Sequence, residues 1–479
     1  MELTRRELLK TGAAVAAAAT VGPAAWATAR SSASNPSDPG KRPNIMLIVT
    51  DQQFADAMSC TGNPYLKTPA MDFIAEHGVR FNNAYVNNPV CMPQRYSIFT
   101  GRLPDTRRYA GDFPKPKVSL GNIAKQGGYK TWYSGKWHIQ DSTFSRDDTE
   151  FHGWDRNEGG RDLAMADDGM AFLKDHKPED GPFITTFSFM NPHDICEWGR
   201  KADGQKDKIK MRNGEIAVDP PLDECPPVPD NYAVSPDEAE AIQYRRHHSG
   251  KSFVEKWDAD LWRRYRWAYY RLVELVDTCV GKLLDMLTQT GHLDNTIIIF
   301  TSDHGDHRAS HRLHQKGTLY EEAVRVPFII AHPGQARKGE TEDRFVSTGI
   351  DIMATICDII GQPLPEGPYY GKSALPFVLD ARSDAPTHEY VVCEAGSTRN
   401  EGYEGRTVRS RDFKYHLWHK GEHREQLFDM RSDRGELNNL AQNPDYAEVL
   451  NEHRGMLADW LERTDDRFDE SYLVAAATK

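Results

Sequence analysis

Short runs of continuous apolar residues recur along the chain, and most of them stop at residues that carry chemistry. Residues 45–49 stop at Thr50, Asp51 and Gln52, and residues 131–134 lead into Gly135, Lys136, Trp137 and His138. Residues 183–189 lead into Asn191, Pro192 and His193, residues 297–300 lead into Asp303 and His304, and residues 327–331 form a further run. Runs this short, without polar alternation, predict strands buried on both faces of a mostly parallel sheet. In an open α/β sheet functional groups collect beyond the carboxyl ends of the strands. Four run ends bearing Asp, Lys or His therefore predict one composite site rather than scattered loop residues.

Between these runs the period changes to three and four. Leu261, Tyr265, Ala268, Leu272, Leu275, Cys279, Leu283 and Leu287 fall on one face of a long helix, with its aromatic residues read as core. Residues 197–256 are polar, Pro-rich and weakly periodic, an excursion expected near the site. Beyond about Gly371 come short strand-like pieces at 390–392, 407–409 and 414–417, then a helix from about Tyr446 to Glu462. The expected fold is α/β: a large domain over 42–372, with a mixed, mostly parallel sheet sandwiched by helices. A smaller C-terminal α+β subdomain with an antiparallel sheet follows over 373–479.

Composition narrows the function. A formal net charge of −12 argues against a general nucleic-acid binder, so any anionic substrate must be met by a local positive site. Residues 1–29 read as a twin-arginine export signal, with Arg5 and Arg6 ahead of an Ala-rich stretch and Ala25-Trp26-Ala27 as the cleavage site. Residues 30–41 read as a flexible linker, and export places the mature protein in the periplasm or outside the cell. The seven cysteines are widely spaced with no Cys-x-x-Cys pair, which leaves no zinc pattern and one odd thiol. Asp306, His307, His311 and His314 have helix-like spacing but are read as substrate-loop or surface residues rather than ligands.

Cys91-Met92-Pro93-Gln94-Arg95, followed by Thr100-Gly101-Arg102, resembles the signature of formylglycine-dependent sulfatases of the alkaline phosphatase superfamily. Asp51-Gln52, Gly135-Lys136-Trp137-His138, Asn191-Pro192-His193, Ser302-Asp303-His304-Gly305-Asp306, Lys316 and Arg325-Val326-Pro327 appear in that family's order. The resemblance covers nearly the whole chain from Arg42. Two departures stand out: Gln52 replaces a second Asp seen in many members, and Gln94 stands where Ser, Ala or Thr is commoner.

The resemblance implies oxidation of Cys91 to formylglycine by a maturating enzyme. It also implies one Ca²⁺, with Mg²⁺ as the lesser alternative, held by Asp51, Gln52, Asp303, His304 and the modified residue 91. Lys136, His193 and Lys316 would bind sulfate. Arg95 would hold the formylglycine, Asp303 would accept the attacking hydroxyl's proton, His193, alone or with Lys316, would protonate the leaving alcohol and His138 would serve the release of sulfate. The expected substrate is a sulfated carbohydrate. Two other readings stay open: phosphodiester or phosphonate monoester hydrolysis with nearly the same residues, and carbohydrate binding without catalysis if Cys91 stays a thiol.

Overall fold

The computed structural model describes residues 42–104, 118–139, 152–158, 162–204, 211, 215–248, 252–334, 337–396 and 403–468. The expected leader and linker lie outside the described residues. Among the described residues no helix is long and apolar enough to cross a membrane.

Eight strands form the large sheet: β1 (Asn44–Asp51), β2 (Gly78–Tyr85), β3 (Lys130–Gly135), β4 (Arg156–Glu158), β5 (Phe183–Pro192), β6 (Thr296–Ser302), β7 (Phe328–Ala331) and β8 (Glu340–Ser347). Their spatial order is β4-β3-β5-β1-β6-β7-β2-β8. Only β7 runs antiparallel to its neighbours. At the centre, β1 pairs in parallel with both β5 and β6 and is buried along its whole length. Met46 and Ile48 enter one hydrophobic core, while Ile45, Leu47 and Val49 enter the other. Two buried faces explain why the sequence shows continuous apolar runs instead of alternation.

The helices that position the site are α1 (Pro69–Glu76), α2 (Cys91–Thr100), α3 (Asp162–Asp175), α4 (Ile195–Ala202), α5 (Glu240–His248), α6 (Ala259–Gln289) and α7 (Thr348–Ile360). The 31-residue α6 starts at Asp258, whose side chain accepts from the Leu261 N–H at 2.9 Å. Its buried arc is wider than the sequence period predicts. Trp262, Tyr269, Val273, Val276 and Val280 are buried as well, whereas Leu261 and Leu275 are half-buried. The helix is packed on more than one side, and a two-sided environment blurs a single-face pattern.

A second sheet contains β9 (Val391–Ala395), β10 (Gly405–Arg409), β11 (Phe413–Trp418) and β12 (Glu425–Asp429), antiparallel in the order β12-β11-β10-β9. Val408, Tyr415, Leu417 and Leu427 pack with Leu450, Leu457 and Trp460 of helix α8 (Ala447–Thr464). Trp418 and Phe428 instead join Ile242 of α5 with Leu313, Leu319 and Tyr320. The excursion before α6 is thus packed between the small sheet and the loop that carries Lys316. The α/β architecture with a mostly parallel sheet and a smaller antiparallel one agrees with the reading from the sequence.

One buried carboxylate shows how α6 fixes its surroundings. Asp277 accepts from the N–H groups of Ala70 (3.2 Å) and Met71 (2.8 Å), supplying the cap that Thr68 does not give to α1. Burial pushes the Asp277 carboxyl up to about 8, against the pull of those two bonds. Between roughly pH 4 and that value the folded chain holds a proton that the unfolded chain has released, so this group lowers stability as pH rises. Asp277→Asn is expected to remove up to about 1.4 kcal/mol per pH unit of that slope. Urea melts at several pH values from about 5 to about 8 check this; identical slopes in wild type and variant would contradict it.

Candidate active site

Parallel pairing of β1 with β6 aligns Thr50 with Ser302, so the residues that follow, Asp51 and Asp303, emerge side by side. Gln52 turns the chain with a positive φ of 74°. Its N–H donates to Asp303 Oδ1 at 3.1 Å, and its carbonyl accepts from the Tyr269 hydroxyl of α6 at 2.9 Å. Cys91 opens α2, with its thiol 3.0 Å from His304 Nε2, 3.7 Å from Asp51 Oδ1 and 3.1 Å from Lys316 Nζ. Lys316 also donates to Gln52 Oε1 at 2.7 Å. Lys136, one residue past β3, pairs with Asp51 Oδ2. His304 Nδ1 faces the Gly305 carbonyl at 3.0 Å; a carbonyl can only accept, so this nitrogen carries the proton and Nε2 presents its lone pair to the cluster.

Arg95 sits one turn along α2 and ties the cluster to the sheet. Its Nε donates to Asp303 Oδ2 at 2.7 Å, and its Nη1 donates to the Lys136 carbonyl at 2.7 Å and to Ser188 Oγ at 2.6 Å. Ser188 and the Tyr133 hydroxyl donate to the same Lys136 carbonyl, at 2.7 and 2.5 Å. Three donors on one carbonyl hold the β3 end, and with it Lys136, against Asp51. The β5 end is held by Asp162 at the start of α3, which accepts from the N–H groups of Met190 (2.7 Å) and Asn191 (3.0 Å) just before His193.

Charge dominates this site because its carboxylates lie deep: Asp51, Gln52, Arg95, Asp303 and His304 are fully buried, while Lys136, His193 and Lys316 are half-buried at its edge. Burial raises the Asp51 carboxyl, but the surrounding positive charge, Lys136 foremost and Lys316 with it, outweighs burial and holds the group well below the usual carboxylate range. Asp303 is raised, first by burial and next by the charge of Asp51, against the pull of His304 and Arg95. The Cys91 thiol is lowered well below its ordinary value: burial and Asp51 push it up, and Lys316, Lys136 and His304 prevail. Burial and Lys316 press His193 down to about 3, so its imidazole is neutral near pH 7.

The structure therefore brings Asp51, Gln52, Cys91, Arg95, Lys136, Asp303, His304 and Lys316 into one cluster. His193 lies at the edge of this cluster, where Lys316, Asp51, Cys91 and Lys136 all act on its imidazole, and Glu197 stands 3.9 Å from its Nδ1. His138 does not join: it is exposed, with a φ of 53°. Among the described residues it makes no hydrogen bond or ion pair with the cluster. Trp137 is buried against Phe99, with ring centroids 5.0 Å apart, and His138, next along the chain, is left at the surface.

Asp306, His307, His311 and His314 are buried, which corrects the alternative that they are plain surface; Asp306, His307 and His314 do lie in a loop. His311 stacks on Tyr320 with centroids 3.9 Å apart, and His307 Nε2 meets Thr318 Oγ1 at 2.9 Å. Gln94 also finds a structural account. Its Oε1 accepts from the N–H of Asn87 at 2.9 Å, its Nε2 donates to Thr348 Oγ1 at 3.2 Å, and bare Gly349 leaves room, since a Cβ there would stand 3.0 Å from Gln94 Oε1. Ser188, Tyr133 and Asp162 were invisible as site residues because a serine in a strand, a tyrosine in a core and a helix-starting aspartate are ordinary in those places.

The donors can hold a metal ion. Ligand atoms of Asp51, Cys91, Asp303 and His304 lie within 4.8 Å of one another, and all four residues are buried. Two carboxylates that raise one another's energy gain most from a dication between them. Arg95 Nη2 is buried without a hydrogen-bond partner among the described residues, 3.7 Å from Asp51 Oδ2, as expected beside a position that a ligand completes.

Residues 43–362 match the family model described as Sulfatase, and residues 309–463 match N-sulphoglucosamine sulphohydrolase, C-terminal. A Delta 4,5-hexuronate-2-O-sulfatase of Bacteroides thetaiotaomicron is 30% identical over 89% of this chain and 90% of its own. An N-acetylglucosamine-6-O-sulfatase of the same organism is 26% identical over 90% and 88%. The solved structure of a 2-O GAG sulfatase superimposes with a TM-score of 0.76 at 28% identity, covering 89% of this chain and 93% of that one. The phosphonate monoester hydrolase of Agrobacterium radiobacter shares the fold, with a TM-score of 0.71 at 21% identity over 90% and 97% of the chains. This chain belongs to the sulfatase family and is a sulfuric ester hydrolase. Residues 2–22 match the twin-arginine translocation pathway signal sequence, which supports export by that route.

Removing Arg95 would leave Asp303 buried without its bonded cation. Arg95→Met is expected to cost about 3–5 kcal/mol in denaturant melts, with part of the loss recovered in the Arg95→Met/Asp303→Asn pair. A single variant within about 1 kcal/mol of wild type would contradict the charge balance described here.

Proposed function

We propose that the chain releases inorganic sulfate from a sulfated carbohydrate, a polysaccharide or an oligosaccharide derived from one, with residue 91 as the nucleophile after oxidation to formylglycine. The single observation that carries this is the position of Cys91: a buried thiol within hydrogen-bond reach of both His304 and Lys316, beside Asp51. The carbohydrate substrate is supported by the relatives named above, several of which act on sulfated sugars.

Asp51, Gln52, Asp303 and His304 would hold the cation, for which Ca²⁺ suits the oxygen-rich set. Such an ion supplies positive charge that favours an ionised hydroxyl and neutralises sulfate oxygens. The chain's own groups do the rest. Burial lowers Lys316, but Cys91, Asp51 and other anionic neighbours raise it further, so it stays an ammonium and meets sulfate oxygens as a cation. Lys136, held on Asp51, adds a second positive charge on the same side. Arg95 keeps Asp303 oriented through Oδ2, and Oδ1, which also accepts from the Gln52 N–H, faces the cluster as the acceptor of a proton from residue 91. Burial, and after it Lys316, keeps His193 neutral; an anionic sulfate in contact with Lys316 offsets the second of these and brings in negative charge, which favours uptake of a proton from solvent that the imidazole passes to the leaving alcohol.

The same reading takes 42–372 as the catalytic domain and 373–479 as a C-terminal subdomain. It places the mature enzyme in the periplasm or outside the cell, after export and modification by a formylglycine-generating enzyme. The test is product release from matched sulfate and phosphate esters and from a panel of defined sulfated sugars. Sulfate release from at least one sugar is expected, abolished by Cys91→Ala and by chelation, and restored by Ca²⁺ more than by Mg²⁺. Dominant phosphate release, or turnover confined to small aryl sulfates, would contradict the proposal.

A further inference from the structure

We infer that Asp306 is a positioning residue whose carboxylate locks the Gln52 amide with its carbonyl oxygen, not its NH₂, toward the cation site. The inference rests on the reading of Asp51, Gln52, Asp303 and His304 as the cation's holders.

A glutamine side chain is almost symmetric in shape but opposite in chemistry at its two ends, so its orientation must be set by its partners. The backbone of Gln52 has no freedom left, because its N–H is bound to Asp303 and its carbonyl to Tyr269. The amide is the remaining variable. Its Nε2 donates to Asp306 Oδ2 at 2.7 Å, and its Oε1 accepts from Lys316 Nζ at 2.7 Å. A flipped amide would face NH₂ against an ammonium and a carbonyl against a carboxylate, losing both bonds, and Gln52 and Asp306 are buried too deeply for water to replace them.

Asp306 is itself held so that only a carboxylate fits. Its Oδ1 accepts from the Arg308 N–H at 2.8 Å, and its Oδ2 accepts from Gln52 and from the Tyr265 hydroxyl at 3.0 Å. The Arg308 N–H is a backbone donor that cannot reverse, and Gln52 brings a second donor to the other oxygen. Asparagine offers one acceptor and one donor, so it can satisfy only one of the two. Gln52, Tyr265 and Asp306 are fully buried, so no water replaces a lost partner at their surface. The negative charge that a second aspartate would place at position 52 is therefore carried one amide further out, at Asp306, where it polarises the Gln52 amide and strengthens Oε1 as a donor to a cation.

The experiment is calorimetric titration of CaCl₂ into the purified full chain, with thermal melts to establish folding. Asp306→Asn is expected to weaken Ca²⁺ binding by about 10–100-fold. Gln52→Glu/Asp306→Asn exchanges the two chemistries: the amide NH₂ introduced at position 306 then donates to one oxygen of the carboxylate introduced at position 52 and leaves the other oxygen toward the site. It is expected to restore affinity to within several-fold of wild type. Wild-type affinity in Asp306→Asn, or a folded double variant no tighter than Asp306→Asn, would overturn the positioning role. Wild-type protein that binds no Ca²⁺ would overturn both this inference and the cation reading on which it rests, which separates the two failures.

Discussion

Asp51 and Asp303 stand side by side because adjacent parallel strands end together, and burying two carboxylates at that point obliges the rest of the site to supply positive charge. An unpaired buried carboxylate costs several kcal/mol. Here Lys136 pairs with Asp51, Arg95 pairs with Asp303 at 2.7 Å, and Lys316 lies 3.9 Å from Asp51. Two of these cations, Lys316 and Lys136, hold the Cys91 thiol well below its ordinary value, and in the proposed function the same two meet the sulfate. Structure and chemistry share one charge balance.

That balance depends on fixed backbone. The β3 end is held by three donors on the Lys136 carbonyl, the β5 end by Asp162, and the β1 end by the Tyr269 hydroxyl of α6. The loop bearing Lys316 is packed between the small sheet and α5. A buried set of ions reinforces the join: Lys414 of β11 lies 3.0 Å from Glu321 and 2.9 Å from Glu436, and Glu321 in turn accepts from the Tyr85 hydroxyl at the end of β2. The small sheet thus braces, through Glu321, the segment that follows Lys316.

Much of this was legible in the sequence, for a physical reason. Strands buried on both faces must be apolar throughout, so their ends are conspicuous, and Asp51, Lys136, His193, Asp303 and His304 were found there. Cys91 and Arg95 came from a motif, and their spacing of four puts both side chains on the same side of α2. What was hidden has an equally physical cause. His138 shares the strand-end position but follows a buried tryptophan and stays exposed, which spacing does not reveal. Asp306 looked like a member of a loop cluster because its partners, Gln52 and Tyr265, are 254 and 41 residues away. Gln94 is held by the Asn87 N–H and by Thr348, and the second of these lies 254 residues away, which no local pattern reveals.

The proposed function requires that residue 91 of this charge-balanced cluster does not remain a cysteine. The decisive measurement is the mass of the peptide containing residue 91 in protein recovered from its native source. The expected peptide is lighter than the encoded one by the difference between a thiol and an aldehyde, and reacts with a carbonyl reagent. A peptide carrying only the unmodified thiol would contradict a formylglycine nucleophile at this site.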